Sequence, residues 1–457
     1  MTTKGANTMT SALSAVRRIL ARHFFGSAFK EFSLYDNVRS IPLLTDGLKP
    51  SQRKAIYGTL DRGENAGLMT VERLASHVAS KTDYHHGGGS MQSTIVGLAN
   101  DYPGSNNMNL FLPEGQFGSR LSPDPAAARY IETKLSPFFR ALYPKQDDGI
   151  LEHNETDGEK IEPKSYAPIL PMSLINGAQG TGTGHACLIM AYNPNQVRDA
   201  VLKVLDGGKL KPGKLVPWYK GFDGTIERNS ETGQVVITGK LEVVNSTTIR
   251  ITELPIGTYL DDYKAHLNKL EEAQFLKDHE SRSTETEWDF NVIVPRSTSA
   301  LGKEELYKKF KLIKRDTENF TLWNERGTLE DFGSAEAIIT RFTEWRVTKY
   351  EERRLLLIKD VTEAIRWLSE KLRFILFYLD HVDQFKNKKK DDLIALLLKN
   401  DFSDYDRLLQ MQMWNLTREK IEELKSEIGD QKKYLSSLKG DTAVEMYRRE
   451  LKEFKYG

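Results

Sequence analysis

Between Thr70 and Ser80 the apolar positions fall at Val71, Leu74, Ala75, Val78 and Ala79. Intervals of three and four put them on one face of a helix. Arg73, His77 and Ser80 take the other face, with Lys81 next, so the outer side is basic. Upstream, Pro50 suits a first helical turn, where its missing N–H is not needed, and Ser51 to Leu60 continues as that helix. Two short helices joined by a polar turn fit a helix-turn-helix, and the pattern fits any other pair of packed helices equally.

The period changes further along. Val235-Val-Ile-Thr, Leu241-Glu-Val-Val, Thr248-Ile-Arg-Ile-Thr and Asn291-Val-Ile-Val alternate or run apolar between turn residues, as strands do. Leu260 to Leu276 reads as a helix. Ala335 to about Leu379 has no proline or glycine, which predicts a helical rod of about 60 Å. A break follows at Asn387-Lys-Lys-Lys390. The return segment carries Ile421, Leu424, Ile428, Leu435 and Leu438 at three-and-four spacing, interrupted by Gln431. That is a short heptad seam, either an ordinary helical hairpin or a coiled-coil arm with a small dimer interface at its far end. Four regions result: an N-terminal arm (1–31), with a helix expected around Val16 to Leu20; a compact glycine- and proline-rich segment (32–165); a mixed α/β segment (166–333); and a helical end (334–457).

Bulk properties narrow the class. The chain has 457 residues, 39% hydrophobic and 28% charged, enough for about three domains or subdomains. No apolar run approaches the roughly 20 residues that span a bilayer. Met1 to Met9 is polar, without a signal-peptide core. The expectation is therefore a cytoplasmic protein with no membrane partner. One cysteine, Cys187, excludes an internal disulfide and a cysteine-based zinc cluster. Net charge is +1, so any nucleic-acid surface must be a local basic patch.

Two candidate sites read weakly on local chemistry. His85-His86 is an adjacent pair in an extended segment; its rings point opposite ways, and no third ligand stands nearby in sequence. Gly177-Ala-Gln-Gly-Thr-Gly-Thr-Gly184 invites a nucleotide-loop reading. It lacks a P-loop ending, and no predicted strand leads into it; the other reading is a turn requiring positive φ.

A series of short motifs runs in one order: Arg39-Ser-Ile-Pro42, Asp46-Gly-Leu-Lys-Pro-Ser-Gln-Arg-Lys54, Tyr84-His-His-Gly87, Gly104-Ser-Asn-Asn107, Gly115-Gln-Phe-Gly-Ser-Arg120 and Arg129-Tyr-Ile131. It continues with Pro171-Met-Ser-Leu-Ile-Asn-Gly177, Pro217-Trp-Tyr-Lys-Gly-Phe-Asp-Gly-Thr-Ile226, Thr252-Glu-Leu-Pro-Ile-Gly257, Phe310-Lys-Leu312 and Leu416-Thr-Arg-Glu-Lys-Ile421. Across nearly its full length the chain resembles the breakage-reunion part of type IIA DNA topoisomerases, the gyrase A-like half, with eukaryote-like wording. The resemblance implies an α+β multidomain fold. Region 32–165 would be a winged-helix DNA-cleavage domain, 166–333 an α/β tower domain, and 334–457 a long coiled coil with a helical exit gate near 375–412.

The resemblance also implies roles. Tyr130 matches the nucleophile that takes a 5′-phosphate from double-stranded DNA. A phenol, with an ordinary pKa near about 10, leaves tolerably on religation but must first lose its proton. Arg129 matches the arginine that holds the scissile phosphate through a fork of donors. Arg53 and His86 match the remaining charge-stabilising residues. Lys49 and Lys54 match backbone-positioning contacts; His85, Arg73, Lys81, Gln116 and Arg120 join the expected DNA surface. Thr181 falls where eukaryotic members carry an intercalating isoleucine, and is a shorter, more polar wedge.

Such chemistry calls for Mg²⁺, which the family holds on a Glu and an Asp-x-Asp of a Toprim fold. The Glu-Gly-Asp-Ser-Ala-like turn of that fold is absent, and Asp404-Tyr-Asp406 matches by spelling only. ATP likewise has no home here. Mg²⁺ and ATP are thus expected on a partner protein with Toprim and ATPase domains, joined to a homodimer formed through the coiled-coil gate. The chain stops after the coiled coil, with no β-rich wrapping domain, which favours relaxation and decatenation over supercoiling. A stand-alone A-type half with this wording suggests a split viral or phage enzyme. Two other readings remain: a catalytically silent DNA-binding architectural component of the same fold, and a nucleotide-binding protein using the glycine run.

Overall fold

The computed structural model describes residues 21–229, 231–412 and 417–456. The helix expected around Val16 to Leu20, and Leu416, lie outside the described residues. The chain forms two compact units: one runs to Arg346 and resumes at Leu451, and the other is Val347–Glu450.

In the first unit the early segment is four helices: α1 (Ala28–Ser40), α2 (Pro50–Asp61), α3 (Val71–Thr82) and α4 (Gly88–Ala99). Pro50 opens α2, and the Lys49 N–H donates to the Gln52 side-chain oxygen at 2.8 Å, satisfying a donor the helix start would otherwise strand. Helix α3 buries Val71, Leu74, Ala75 and Val78, as the periodicity predicts, each worth about 1.5–3 kcal/mol if large and fully buried. It ends at Asp83, whose φ of 52° lies in the left-handed region that Asp tolerates better than most residues.

A small antiparallel sheet frames α3. Strand β1 (Met69–Thr70) leads straight into it, β2 is Phe111–Glu114 and β3 is Glu132–Leu135, in the order β1-β3-β2. Strands β4 (Ala178–Gly182) and β5 (His185–Ile189) form a hairpin, so the glycine run is itself a strand and its turn.

The expected α/β part centres on β6 (Lys240–Asn245), β7 (Thr248–Glu253), β8 (Asp278–Ser281) and β9 (Phe290–Ile293), paired β6-β7-β9-β8. Ile249, Ile251, Phe290 and Val292 alternate onto one face, where Tyr263 and Leu267 of α5 (Leu260–Glu272) bury them. Val235–Thr238 is a strand, in a second antiparallel sheet with Thr225–Arg228 and Ile313–Asp316.

The long helix α6 spans Ala335–Asp380, 46 residues, and the return helix α7 spans Arg418–Gly440. In the second unit Leu368 and Ile375 of α6 are buried with Ile421, Leu424 and Ile428 of α7. A second cluster, Phe374, Leu397, Phe402 and Leu408, packs at the far end of α6. Among the described residues no helix is long and apolar enough to cross a membrane.

Candidate functional site

Tyr130 stands in a tight turn between the loop after β2 and the start of β3. The turn is fixed by backbone: Tyr130 N–H donates to Ala127 O at 2.8 Å, and Ala126 N–H to Gln116 O at 2.9 Å. The first turn of α3 grips it too, Val71 N–H donating to Ile131 O at 3.0 Å and Glu72 N–H to Ala128 O at 3.1 Å. The Tyr130 side chain is 71% exposed, so a large ring is presented to solvent from a rigid base. The guanidinium of exposed Arg129 lies 4.8 Å from its ring centroid, a cation–π contact. A phenol and a permanent cation therefore share one exposed corner. Gln116 is exposed, and its side-chain oxygen accepts from Gly118 N–H, holding the loop.

A second cluster lies elsewhere. A cleft of about 300–1,000 Å³ is the usual scale of a ligand site; here one of ≈ 620 Å³ is lined by Tyr35, Arg39, Lys49, Lys54, Tyr84 and His86, among others. Burial lowers the Lys49 ammonium pKa. The His86 imidazole is also pushed down, by desolvation first and then by its neighbours Arg39, His85 and Lys54. The Tyr35 hydroxyl lies 2.8 Å from His86 Nε2. His85 turns away, its Nε2 3.1 Å from Asp83 Oδ2.

These clusters do not meet within one chain. The Tyr130 turn is bonded to the first turn of α3, whereas Tyr84 follows its last, donating N–H to Ala79 O at 3.2 Å. At about 1.5 Å per residue the 12 residues of α3 hold the two ends about 18 Å apart.

Three bases expected at DNA are engaged internally. Arg53 is 5% exposed, its Nε 2.7 Å from Asp46 Oδ2 and its Nη2 2.9 Å from Asp46 Oδ1, so these two nitrogens are turned to the core. Lys54 donates to Thr82 O at 2.5 Å and to Glu162 Oε2 at 2.9 Å, closing the C-terminal end of α3. Arg120 is buried, donating to Gly221 O at 3.0 Å and facing Glu253 at the end of β7 at 3.4 Å. Burial raises the Glu253 carboxyl pKa, outweighing the Asp223 N–H and Arg120 that pull it down. The motifs thus contain three basic residues whose side chains tie the scaffold together. Arg73 is exposed on α3; Lys81 is exposed but 3.4 Å from Asp61, which also faces His77 at 3.1 Å.

The glycine run packs against α1. A Cβ on Gly180 would overlap the Ser40 carbonyl oxygen, and one on Gly182 the Asn37 side chain. The hairpin can lie on α1 only because both lack side chains. Thr183 Oγ1 donates to Asp36 Oδ2 at 2.7 Å, and Asn37 Nδ2 donates to Thr183 O at 3.0 Å. Thr181, paired with Ala186, faces solvent.

Asp404-Tyr-Asp406 is not poised for a metal. Asp404 lies 2.8 Å from Arg366 and Asp406 3.1 Å from Lys390, so each carboxylate is already neutralised. Among the described residues no group of three His, Cys, Asp or Glu could hold an ion. The residues present do not fit a Mg²⁺ site.

Sequence reasoning missed Tyr35. It lies 51 positions from His86, and only its place beside the Arg39 motif could have drawn attention to it.

Comparison with known proteins places this architecture. Residues 39–452 match the family described as the A subunit of DNA gyrase/topoisomerase IV. The chain is 41% identical to DNA topoisomerase 2 of Arabidopsis thaliana over 82% of its length and 26% of that protein's. It is 34% identical to DNA topoisomerase 2 of Penicillium chrysogenum over 96% of its length and 30% of that protein's. It superposes with a TM-score of 0.87 and 33% identity on the crystal structure of the Plasmodium falciparum topoisomerase II DNA-binding, cleavage and re-ligation domain, covering 92% of this chain and 62% of that one. The chain thus spans under a third of the two curated relatives' length. On the extent of these matches, the chain belongs to the A-type family of DNA gyrase and topoisomerase IV, as a type IIA breakage-reunion region.

Proposed function

We propose that this chain cuts and reseals duplex DNA through Tyr130, as the cleaving part of an ATP-dependent type II topoisomerase that relaxes and decatenates DNA. In the forward step the Tyr130 oxygen bonds to a backbone phosphorus and the bond from that phosphorus to the 3′-oxygen breaks. The phenolic proton passes to a base, and the released 3′-oxygen takes one up. A 5′-phosphotyrosyl link remains, and the reverse attack restores the DNA without added energy. Arg129 shares the corner with the phenol and carries a fork of donors for the non-bridging oxygens. The observation that carries this reading is the 71% exposed Tyr130 held beside Arg129 by α3 and β3.

On this reading α2, α3 and the β1-β3-β2 sheet act as a winged helix, with Arg73 and Lys81 on the DNA side of α3. The α6–α7 pair acts as a coiled coil ending in a dimer gate. The separation of Tyr130 from the His86 cleft supports a two-fold dimer, in which each tyrosine faces the cleft of the other copy. Lys49, Arg39 and His86 then position or neutralise phosphate. Thr181 enters between base pairs at the bend. Mg²⁺ and ATP come from outside these 457 residues, on another chain or a further part of the same one.

The test is a denaturant-trapped adduct. The dimer, supplied with Toprim and ATPase domains and Mg²⁺, is stopped with detergent on supercoiled DNA. Protein should remain attached at 5′ ends through Tyr130, and Tyr130→Phe should abolish attachment while duplex binding persists. Absence of any adduct would leave a DNA-binding architectural component instead.

A further inference from the structure

We propose that Tyr35 is a positioning residue that fixes His86 as a neutral hydrogen-bond donor with its proton on Nδ1, so that His86 serves a phosphate and is not the base for Tyr130. This rests on the reading above for the phosphate, and on this structure for the tautomer.

The contact is direct: the Tyr35 hydroxyl and His86 Nε2 are 2.8 Å apart, with ring centroids 6.2 Å apart. Of the two possible directions, phenol to imidazole is preferred, because a phenol is the stronger acid and an imidazole nitrogen the stronger acceptor. A neutral imidazole with Nε2 accepting carries its proton on Nδ1. The Nε2 lone pair, the only basic site left, is then occupied.

The surroundings disfavour protonation of the ring. Arg39 from α1, Lys54 from α2 and His85 from its own segment are the charged or titratable groups that act on it, all against protonation. Tyr84 flanks the exposed ring, edge-on at 5.4 Å, with its hydroxyl donating to Ser90 of α4 at 3.0 Å. A neutral N–H donor in a basic cleft can bind a phosphate oxygen at any pH above its own titration.

Tyr35 is itself held. It is 55% exposed, but the next residues lock its helix: Asp36 accepts from Thr183, Asn37 donates to Thr183 O, and Trp323 Nε1 donates to Asn37 O at 3.1 Å. The hydroxyl thus projects from a fixed point.

The test uses the full chain with ¹⁵N-labelled histidine, assigning His86 by the loss of its signals in His86→Gln. Long-range nitrogen–proton spectra should show His86 predominantly as the Nδ1–H tautomer. In Tyr35→Phe, which keeps the ring, the tautomer preference should collapse and the midpoint rise by about one pH unit. An Nε2–H tautomer in the parent chain, or an unchanged tautomer and midpoint in Tyr35→Phe, overturns the proposal. Should the spectra behave as expected while no adduct forms at all, the proposed cleavage function fails and the tautomer assignment stands.

Discussion

Arg53 and Asp46 form a bidentate pair in the core, with Nε 2.7 Å from Oδ2 and Nη2 2.9 Å from Oδ1. Asp46 is held by further donors. Asp46 also accepts from Leu48 N–H and Tyr166 N–H, both at 3.0 Å, and Arg53 donates to Leu48 O at 2.6 Å. Removing one charge strands the other in a site where Asp46 is fully buried. Arg53→Ala should therefore lower stability by about 3–5 kcal/mol, read as a drop in the denaturant midpoint with unchanged slope. An arginine serving only a phosphate would show no such loss. Any cleavage defect in this variant should shrink under conditions that restore folding.

Arg129 makes the opposite prediction. It is exposed, and the contact that places it is the Tyr130 ring at 4.8 Å. Arg129→Lys keeps the charge but loses the planar fork. Stability should be unchanged, duplex affinity should fall less than about tenfold, and adduct formation should slow by about 10²–10³-fold. Single-turnover cleavage measured alongside filter binding separates the two effects.

Where side-chain period controls structure, the sequence is readable. Helix α3 follows from Val71, Leu74, Ala75 and Val78, and β7 and β9 from apolar alternation around Ile251 and Val292. Strand β8, Asp278–Ser281, is not legible, because its residues are polar and its neighbour β9 supplies the reason for it to be extended. The glycine run reads locally as a turn with no strand leading in; it is a strand, because pairing with β5 and packing on Ser40 decide its conformation. The exposed corner at Arg129 and Tyr130 is legible from the motif. The inward turn of Arg53, Lys54 and Arg120 is not, since a motif records residue type and not side-chain direction. Glu162 and Glu253 lie 108 and 133 positions from Lys54 and Arg120 and are brought to them by tertiary folding, while Asp46, seven positions from Arg53, is within reach in the motif itself.

The Gly180–Ser40 approach can be probed without touching a charge. A methyl group at Gly180 would overlap the Ser40 carbonyl oxygen, which is backbone and cannot rotate away. Gly180→Ala should cost about 1–3 kcal/mol through overpacking, and should lift the hairpin that carries Thr181. Bending of a doubly labelled duplex, followed by energy transfer, should weaken in this variant. Gly184→Ala tests specificity: no atom lies within 4 Å of its added Cβ, although its φ of +77° adds local strain. Its effect on bending should be smaller.

Mixed dimers resolve which copy completes each site. With the Tyr130 turn bonded to the first turn of α3 and His86 following its last, Tyr130 of one copy should act with His86 of the other. Two heterodimers carry the same pair of substitutions in different arrangements. With Tyr130→Phe on one copy and His86→Ala on the other, the surviving Tyr130 faces an intact His86, and single-strand cleavage should proceed at the parental per-site rate. With both substitutions on one copy, the surviving Tyr130 faces the altered cleft, and cleavage should slow by on the order of 10²-fold, as when one charge-stabilising donor is lost. Nicked product on a supercoiled plasmid reads both directly. The reverse ranking would place tyrosine and histidine of a single chain at the same phosphate, which requires α3 to unwind or the Tyr130 turn to leave its bonds to Val71 and Glu72. Amide exchange at those two positions, compared with and without DNA, would then show whether that happens.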